Sequence, residues 1–189
     1  MTIDASSPSD SAIRDLASRI DRPVVLVGMM GVGKSTVGRK LAQLLGLPFA
    51  DADEEIEEAA QMSVAEIFER FDEGYFRDGE RRVIARLLEA GPSVLATGGG
   101  AFVRPDTRAL ILERGIAVWL DSDVATLVDR VSRRDTRPLL RDGDPKEILE
   151  RLKAARESAY EQAPIKVMSQ PGPHGETVNR ILQELGRWL

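Results

Sequence analysis

The stretch "RPVVLVGMMGVGKSTVGRKLAQLLG", residues 22–46, constrains the fold more than any other part of the chain. Its opening, Val24 to Val27, is a short β-branched apolar run between Pro23 and Gly28, which predicts a buried strand. Its end places Val37, Leu41, Leu44 and Leu45 at helical spacing on one face, with Gly46 as the stop. Between them, Gly28, Gly33, Lys34 and Ser35 satisfy the pattern G-x-x-x-x-G-K-[ST]. Strand, glycine loop and helix in that order make a phosphate-binding device. The glycines let backbone N–H groups turn inward, and the helix N-terminus adds partial positive charge. Gly31, Val32, Gly33, Lys34, Ser35 and Thr36 are therefore the candidates to hold a nucleoside triphosphate. Lys34 can reach the outer phosphates, and the Ser35 hydroxyl can ligate Mg²⁺.

Four further strands are predicted: one in "LPFADAD", then "SVLAT", "IAVWLD" and "IKVMS". Helical patterns lie between them. Ser63 and Glu66 have capping-box spacing ahead of one helix. Val83, Leu87 and Leu88 give the next its apolar side, with Gly91 near its stop. Pro105 opens another that Gly115 ends, one should open at Ser122, and Asp144 with Pro145 starts a long one. Strands alternating with helices imply an α/β fold with a parallel sheet covered on both faces. Ligands in such folds gather at the carboxyl ends of the strands. The glycine loop, "DAD" at 51–53 and "GGG" at 98–100 all fall at such ends, so a single composite site is expected. "RDTRPLLRDGD" has little apolar periodicity and carries Arg134, Arg137 and Arg141, which predicts a mobile basic loop. Residues 1–20 read as a partly disordered leader with a short helix around Ala12 to Ile20, followed by one domain over 21–189.

Composition narrows the classes. Net charge is −5, from 26 basic and 31 acidic residues, which speaks against nucleic acid as a partner. With no cysteine, disulfides and thiolate metal sites are excluded, and the single histidine, His174, cannot build a histidine metal site. His174 sits in the turn-like "SQPGPHGE" and is expected to be a solvated loop residue. No apolar run approaches the roughly 18 residues of a membrane span. The first ten residues lack a basic start and an apolar stretch, so no secretory signal is expected. A cytoplasmic enzyme, expected to be monomeric, fits these features.

The acceptor of the terminal phosphate separates the remaining readings. A guanine-nucleotide switch needs N-K-x-D and D-x-x-G; Asn179 is the sole asparagine and no D-x-x-G occurs. A mechanical ATPase needs a strand ending in an acid, which Asp121 and Asp51 both supply, with Asp51 nearer the glycine loop. Asp121 reads better as a strand-end or helix-capping acid. A small-molecule kinase needs a metal, cations on the transferred group, a carboxylate beneath the attacking hydroxyl and a lid. Asp51 and Asp53 stand two apart, so on a strand end their side chains share one side. One would serve Mg²⁺ and the other the acceptor.

The order of "GMMGVGKSTVGRKLA", "FADADEEIE", "SVAEIFE", "EGYFRDGE", "TGGGAF", "RPLL" and "RESAYEQA" along nearly the whole chain resembles the shikimate kinase family, within the nucleoside-monophosphate-kinase-like P-loop kinases. The resemblance implies a three-layer αβα fold with a five-stranded parallel sheet, a helical substrate-binding region and a mobile lid at about residues 133–144. It implies transfer of the γ-phosphoryl of ATP to the 3-hydroxyl of shikimate, on the route to chorismate and the aromatic amino acids. Asp53 would hold the acceptor hydroxyls and act as base, Lys34 would act on the phosphates, and Asp51 would serve Mg²⁺, often through water. Arg77 and Arg156 would bind the shikimate carboxylate, completed by backbone amides of Gly98, Gly99 and Gly100. Arg137 would reach the phosphates from the lid, and Arg134 would lie against adenine. Asp72 and Gln61 stand where the family frequently has glycine, which puts the turn geometry near the acceptor in question. The alternatives are a related kinase acting on gluconate or a nucleotide, and a nucleotide-binding module without catalysis.

Overall fold

A computed structural model describes residues 8–133 and 143–189. Five parallel strands form one sheet in the order β2-β3-β1-β4-β5: β1 (Val24–Val27), β2 (Phe49–Asp51), β3 (Val94–Ala96), β4 (Ile116–Asp121) and β5 (Ile165–Met168). The helices among the described residues are α1 (Asp10–Arg19), α2 (Lys34–Leu45), α3 (Ala52–Ala60), α4 (Val64–Arg70), α5 (Glu73–Leu88), α6 (Pro105–Arg114), α7 (Val124–Ser132), α8 (Pro145–Tyr160) and α9 (His174–Trp188). A 3-10 turn, Ala101–Val103, follows the triple glycine.

Every residue of β1, β3 and β4 is buried, because parallel strands covered on both faces have no solvent side to alternate toward. Each fully buried Val or Leu there contributes about 1.5–3 kcal/mol. The edge strand β5 does alternate, with Ile165 and Val167 inward and Lys166 and Met168 outward. Leu26 of β1 lies level with Ala96 of β3, and Ala96 with Asp51 of β2, so these three strands reach the carboxyl rim together. The glycine loop, the Asp51–Asp53 segment and the triple glycine all leave the sheet from that rim.

Several expectations need correction. Leu44 is 48% exposed. The buried stripe of α2 is Val37, Gly38, Leu41, Ala42 and Leu45, whose three-and-four rhythm leaves position 44 outside. Helix α7 is capped by Asp123, whose carboxylate accepts from the Thr126 N–H at 2.8 Å. Ser122 is instead buried and donates its hydroxyl to the Ser169 carbonyl at 2.8 Å, joining the ends of β4 and β5. Helix α1 packs on the sheet's core, since Ile13, Leu16 and Ile20 belong to the same hydrophobic cluster. The basic stretch 134–142, with Arg134, Arg137 and Arg141, and residues 1–7 lie outside the described residues.

The two departures from glycine have local explanations. Gln61 caps α3 in the left-handed region, at φ 52°, the one non-glycine residue with positive φ among those described. Its side-chain amide donates to the Glu58 carbonyl at 2.7 Å, closing the turn that glycine would make without strain. Asp72 is the N-cap of α5 and accepts from the Tyr75 N–H at 2.8 Å.

Candidate active site

The glycine loop bends from β1 into α2 through backbone conformations that favour glycine. Gly28 has φ 139°, and a Cβ on it would lie 2.3 Å from the Leu120 carbonyl oxygen. Gly33, at φ 100°, precedes α2. Lys34 is buried, and its ammonium donates to the carbonyls of Gly28 at 2.7 Å and Met29 at 2.9 Å, which keeps it within the loop. Ser35 donates its hydroxyl to Asp51 Oδ2 at 2.5 Å. Asp51 Oδ1 in turn accepts from the Asp53 N–H at 3.0 Å.

That last bond corrects the expected strand pleat. The strand stops at Asp51, which caps α3, and Asp53 sits in the first turn of that helix. Both carboxylates still face one cleft, because the helix opens there, and negative charge at a helix N-terminus is favoured.

The cleft has a volume of about 740 Å³, within the range of small-molecule sites. One wall is Gly31, Gly33, Lys34, Ser35, Thr36, Asp51, Asp53, Thr97, Gly98 and Gly99. The other comes from α7, through Ala125, Thr126, Asp129 and Arg130, and from the turn before α9, through Pro171, Gly172 and His174. Arg133 also lines it. Val32 does not: its side chain is buried in the core and its carbonyl accepts from Arg130 and Ser169. Arg130 also donates to the Gln170 carbonyl at 2.8 Å, so it staples the glycine loop to the turn after β5. Burial holds its guanidinium pKa below the ordinary value.

Arg77, Arg156 and Gly100 adjoin this wall rather than line it. Arg77 Nη1 donates to Glu80 Oε2 at 2.7 Å, and its guanidinium lies flat against Gly100, where a Cβ would come within 2.3 Å of Nη2. Arg156 Nη1 donates to the Gly99 carbonyl at 3.3 Å, and the Tyr160 hydroxyl donates to the same oxygen at 2.5 Å. A Cβ on Gly98 would lie 2.9 Å from Asp53 Oδ1 and 3.1 Å from Glu80 Oε1. The triple glycine is thus the partition where the aspartate, the buried glutamate and the two arginines converge.

Glu80 had no assigned role in the sequence. It is 1% exposed, and burial pushes its carboxyl pKa up, opposed by Arg77 and reinforced by the charge of Asp53. Oε1 accepts no hydrogen bond among the described residues. Its spacing, three residues after Arg77 on one helix, was the available signal. His174 is also placed differently from expectation: it is half-buried, begins α9 and lies against Gly33 in the cleft. Nothing local in "SQPGPHGE" announces that, since the contact joins residues far apart in the chain, Gly33 and His174. Asp121 is held by Lys153 at 2.9 Å and Lys166 at 3.2 Å, away from the cleft wall, as a strand-end acid.

A phosphate loop on the central strand of a 2-3-1-4-5 parallel sheet, facing a carboxylate across a cleft of this size, defines a P-loop kinase of the small-molecule type. The family model "Shikimate kinase" matches residues 30–186. A shikimate kinase of Novosphingobium aromaticivorans is 62% identical over the whole of both chains. One from Caulobacter vibrioides is 56% identical over 90% of this chain and 86% of its own. The solved structure of shikimate kinase from Acinetobacter baumannii in complex with shikimate superposes with a TM-score of 0.83, at 36% identity, covering 93% of this chain and 96% of that one. The chain belongs to the shikimate kinase family, whose reaction is the ATP-dependent phosphorylation of shikimate in aromatic amino acid biosynthesis. Among the described residues, no helix is long and apolar enough to cross a membrane.

Proposed function

We propose that this cleft transfers the terminal phosphoryl group of ATP to the 3-hydroxyl of shikimate, with Asp53 beneath that hydroxyl. The observation that carries the reading is the continuity of contacts. Lys34 and Ser35 lead through Asp51 to Asp53, Asp53 abuts Gly98, and the neighbouring Gly99 and Gly100 touch Arg156 and Arg77. A cyclic polyol acid wants guanidinium forks on its carboxylate and a carboxylate acceptor for its hydroxyls. The backbone of a triple glycine can approach such a ring where a side chain would obstruct.

The attacking alcohol oxygen forms a bond to the γ-phosphorus as the bridging P–O bond breaks, and ADP leaves. An alcohol is too weakly acidic to lose its proton first at neutral pH, so Asp53 orients the hydroxyl and takes the proton late. Lys34 and the amides from Gly31 to Thr36 hold the phosphates, and the roles of Arg137 and Arg134 rest on the family resemblance. Ser35 and Asp51 offer hard oxygens 2.5 Å apart beside the phosphate loop. They fit Mg²⁺, which takes one or two protein oxygens and fills its shell with water and phosphate. When bound, Mg²⁺ neutralises charge on the phosphate oxygens. We carry the further reading of a cytoplasmic monomer with one catalytic domain over 21–189 and a lid at about 133–144. The single core that the sheet and its helices share supports the one-domain part of that reading.

The test is ADP release across shikimate, gluconate and nucleoside monophosphates. Shikimate alone should support turnover, and comparable release with another acceptor rejects the reading. Asp53→Asn should abolish turnover while ATP still binds; loss of ATP binding instead would mean that Asp53 belongs to the nucleotide half.

A further inference from the structure

The Gly99 carbonyl has two donors of unequal quality. The Tyr160 hydroxyl is at 2.5 Å, and Arg156 Nη1 is at 3.3 Å. Tyr160 is 1% exposed, and its ring stacks on Trp119 of β4 with centroids 5.9 Å apart. It sits one turn beyond Arg156 on α8 and so ties that helix to both the sheet and the glycine partition. Burial pushes the phenol pKa up to about 12, opposed by the charge of Arg156, by a hydrogen bond from its side chain and by the charge of Arg77, so the hydroxyl remains a donor across the working pH range. The Gly99–Gly100 peptide is trans, so with the carbonyl aimed at α8 the Gly100 N–H points the opposite way.

We propose that Tyr160 is a positioning residue of the acceptor pocket: it holds the Gly99 carbonyl so that Arg156 is released to grip a substrate carboxylate. This rests on the reading above that Arg156 binds the shikimate carboxylate. A part-buried carbonyl stripped of donors costs free energy. With the tyrosine in place, Arg156 gives up a long bond to an oxygen that is already satisfied. Without it, Arg156 becomes the nearby donor for that oxygen, and the substrate carboxylate has to compete with the protein's own backbone.

The experiment measures shikimate Kd by calorimetry, KM for both substrates, kcat and melting temperature in Tyr160→Phe, Arg156→Lys and the double variant. The phenylalanine keeps the ring on Trp119 and removes one oxygen. Tyr160→Phe should raise shikimate Kd and KM about tenfold, the worth of one strong hydrogen bond, with ATP KM and kcat within about twofold. Added to Arg156→Lys, it should raise shikimate KM by less than about twofold further, since the route of its effect is already gone. A shikimate KM within about twofold of wild type in Tyr160→Phe overturns the inference, as do equal rises for both substrates or fully additive effects in the double variant. An unchanged shikimate KM in Arg156→Lys would instead sink the underlying carboxylate reading, so the two failures are distinguishable.

Discussion

Gly100→Ala probes the partition directly. Gly100 has φ −96° and ψ −14°, a conformation alanine adopts freely, so the backbone resists nothing. The obstacle is steric. The new Cβ would stand 2.3 Å from Arg77 Nη2 and 2.7 Å from Cζ and Nη1, where ordinary contact begins at 3.4 Å. The guanidinium must therefore retreat by about 1.1 Å (3.4 − 2.3), a distance that breaks hydrogen-bond geometry. Its bond to Glu80 Oε2 is 2.7 Å long, and Glu80 is too deeply buried to follow. Stripping a partner from a buried ion pair costs about 3–5 kcal/mol. Glu80 has an escape, because burial already raises its pKa and it can take up a proton when Arg77 withdraws. The net loss of stability should then be about 1–3 kcal/mol. Misplacing a binding group by about 1 Å costs up to about a hundredfold. We therefore expect shikimate KM to rise about 10- to 100-fold with ATP KM within about twofold, read by coupled ADP release, and urea unfolding to give the stability change. A folded variant with an unaltered shikimate KM would refute the claim that Arg77 against Gly100 shapes the acceptor pocket.

Gly79 lies in the interior of the same helix as Arg77, and a methyl group there would meet nothing within 4 Å, so Gly79→Ala should add about 0.5–1 kcal/mol by urea unfolding and leave both KM values alone. Asp72→Ala removes the cap on the Tyr75 N–H and should cost about 1 kcal/mol, whereas Asp72→Gly should cost only a few tenths; an Asp72→Ala variant as stable as wild type would argue that the side-chain bond is irrelevant. Tyr160 carries a pH signature. Its folded pKa, about 12, lies above the ordinary 10.0, so the unfolded chain releases that proton first. The stability is complete below pH 10 and is lost as pH rises toward 12, by about 3 kcal/mol in all. Denaturation midpoints measured across that range should fall more steeply for wild type than for Tyr160→Phe, and parallel slopes would count against the buried phenol.

The nucleotide half was legible because its parts are contiguous. Strand, glycine loop and helix between Val24 and Leu45 each carry a local pattern, and the capping box at Ser63 is a bond between neighbours. Strand alternation with helices was enough for a parallel sheet, since parallel strands need crossovers. Asp51 and Asp53 were found by adjacency, yet for the wrong reason: a helix start, not a pleat, turns both to the cleft. Leu44 and Ser122 were misplaced because hydrophobicity and capping preference are local, while what meets a surface is not. The acceptor half depends on distance. Arg156 meets Gly99 across 57 residues and Tyr160 meets it across 61. His174 lies against Gly33 of the glycine loop, and the buried Glu80 lies against Gly98 of the triple glycine, contacts that join separate elements. The amino-acid sequence by itself determined the proposed phosphate site, since backbone amides and a lysine within one short segment suffice for one. The tertiary structure alone decided which charges share the proposed acceptor pocket, because burial and pairing belong to surfaces that exist only once separate helices meet the rim of the sheet.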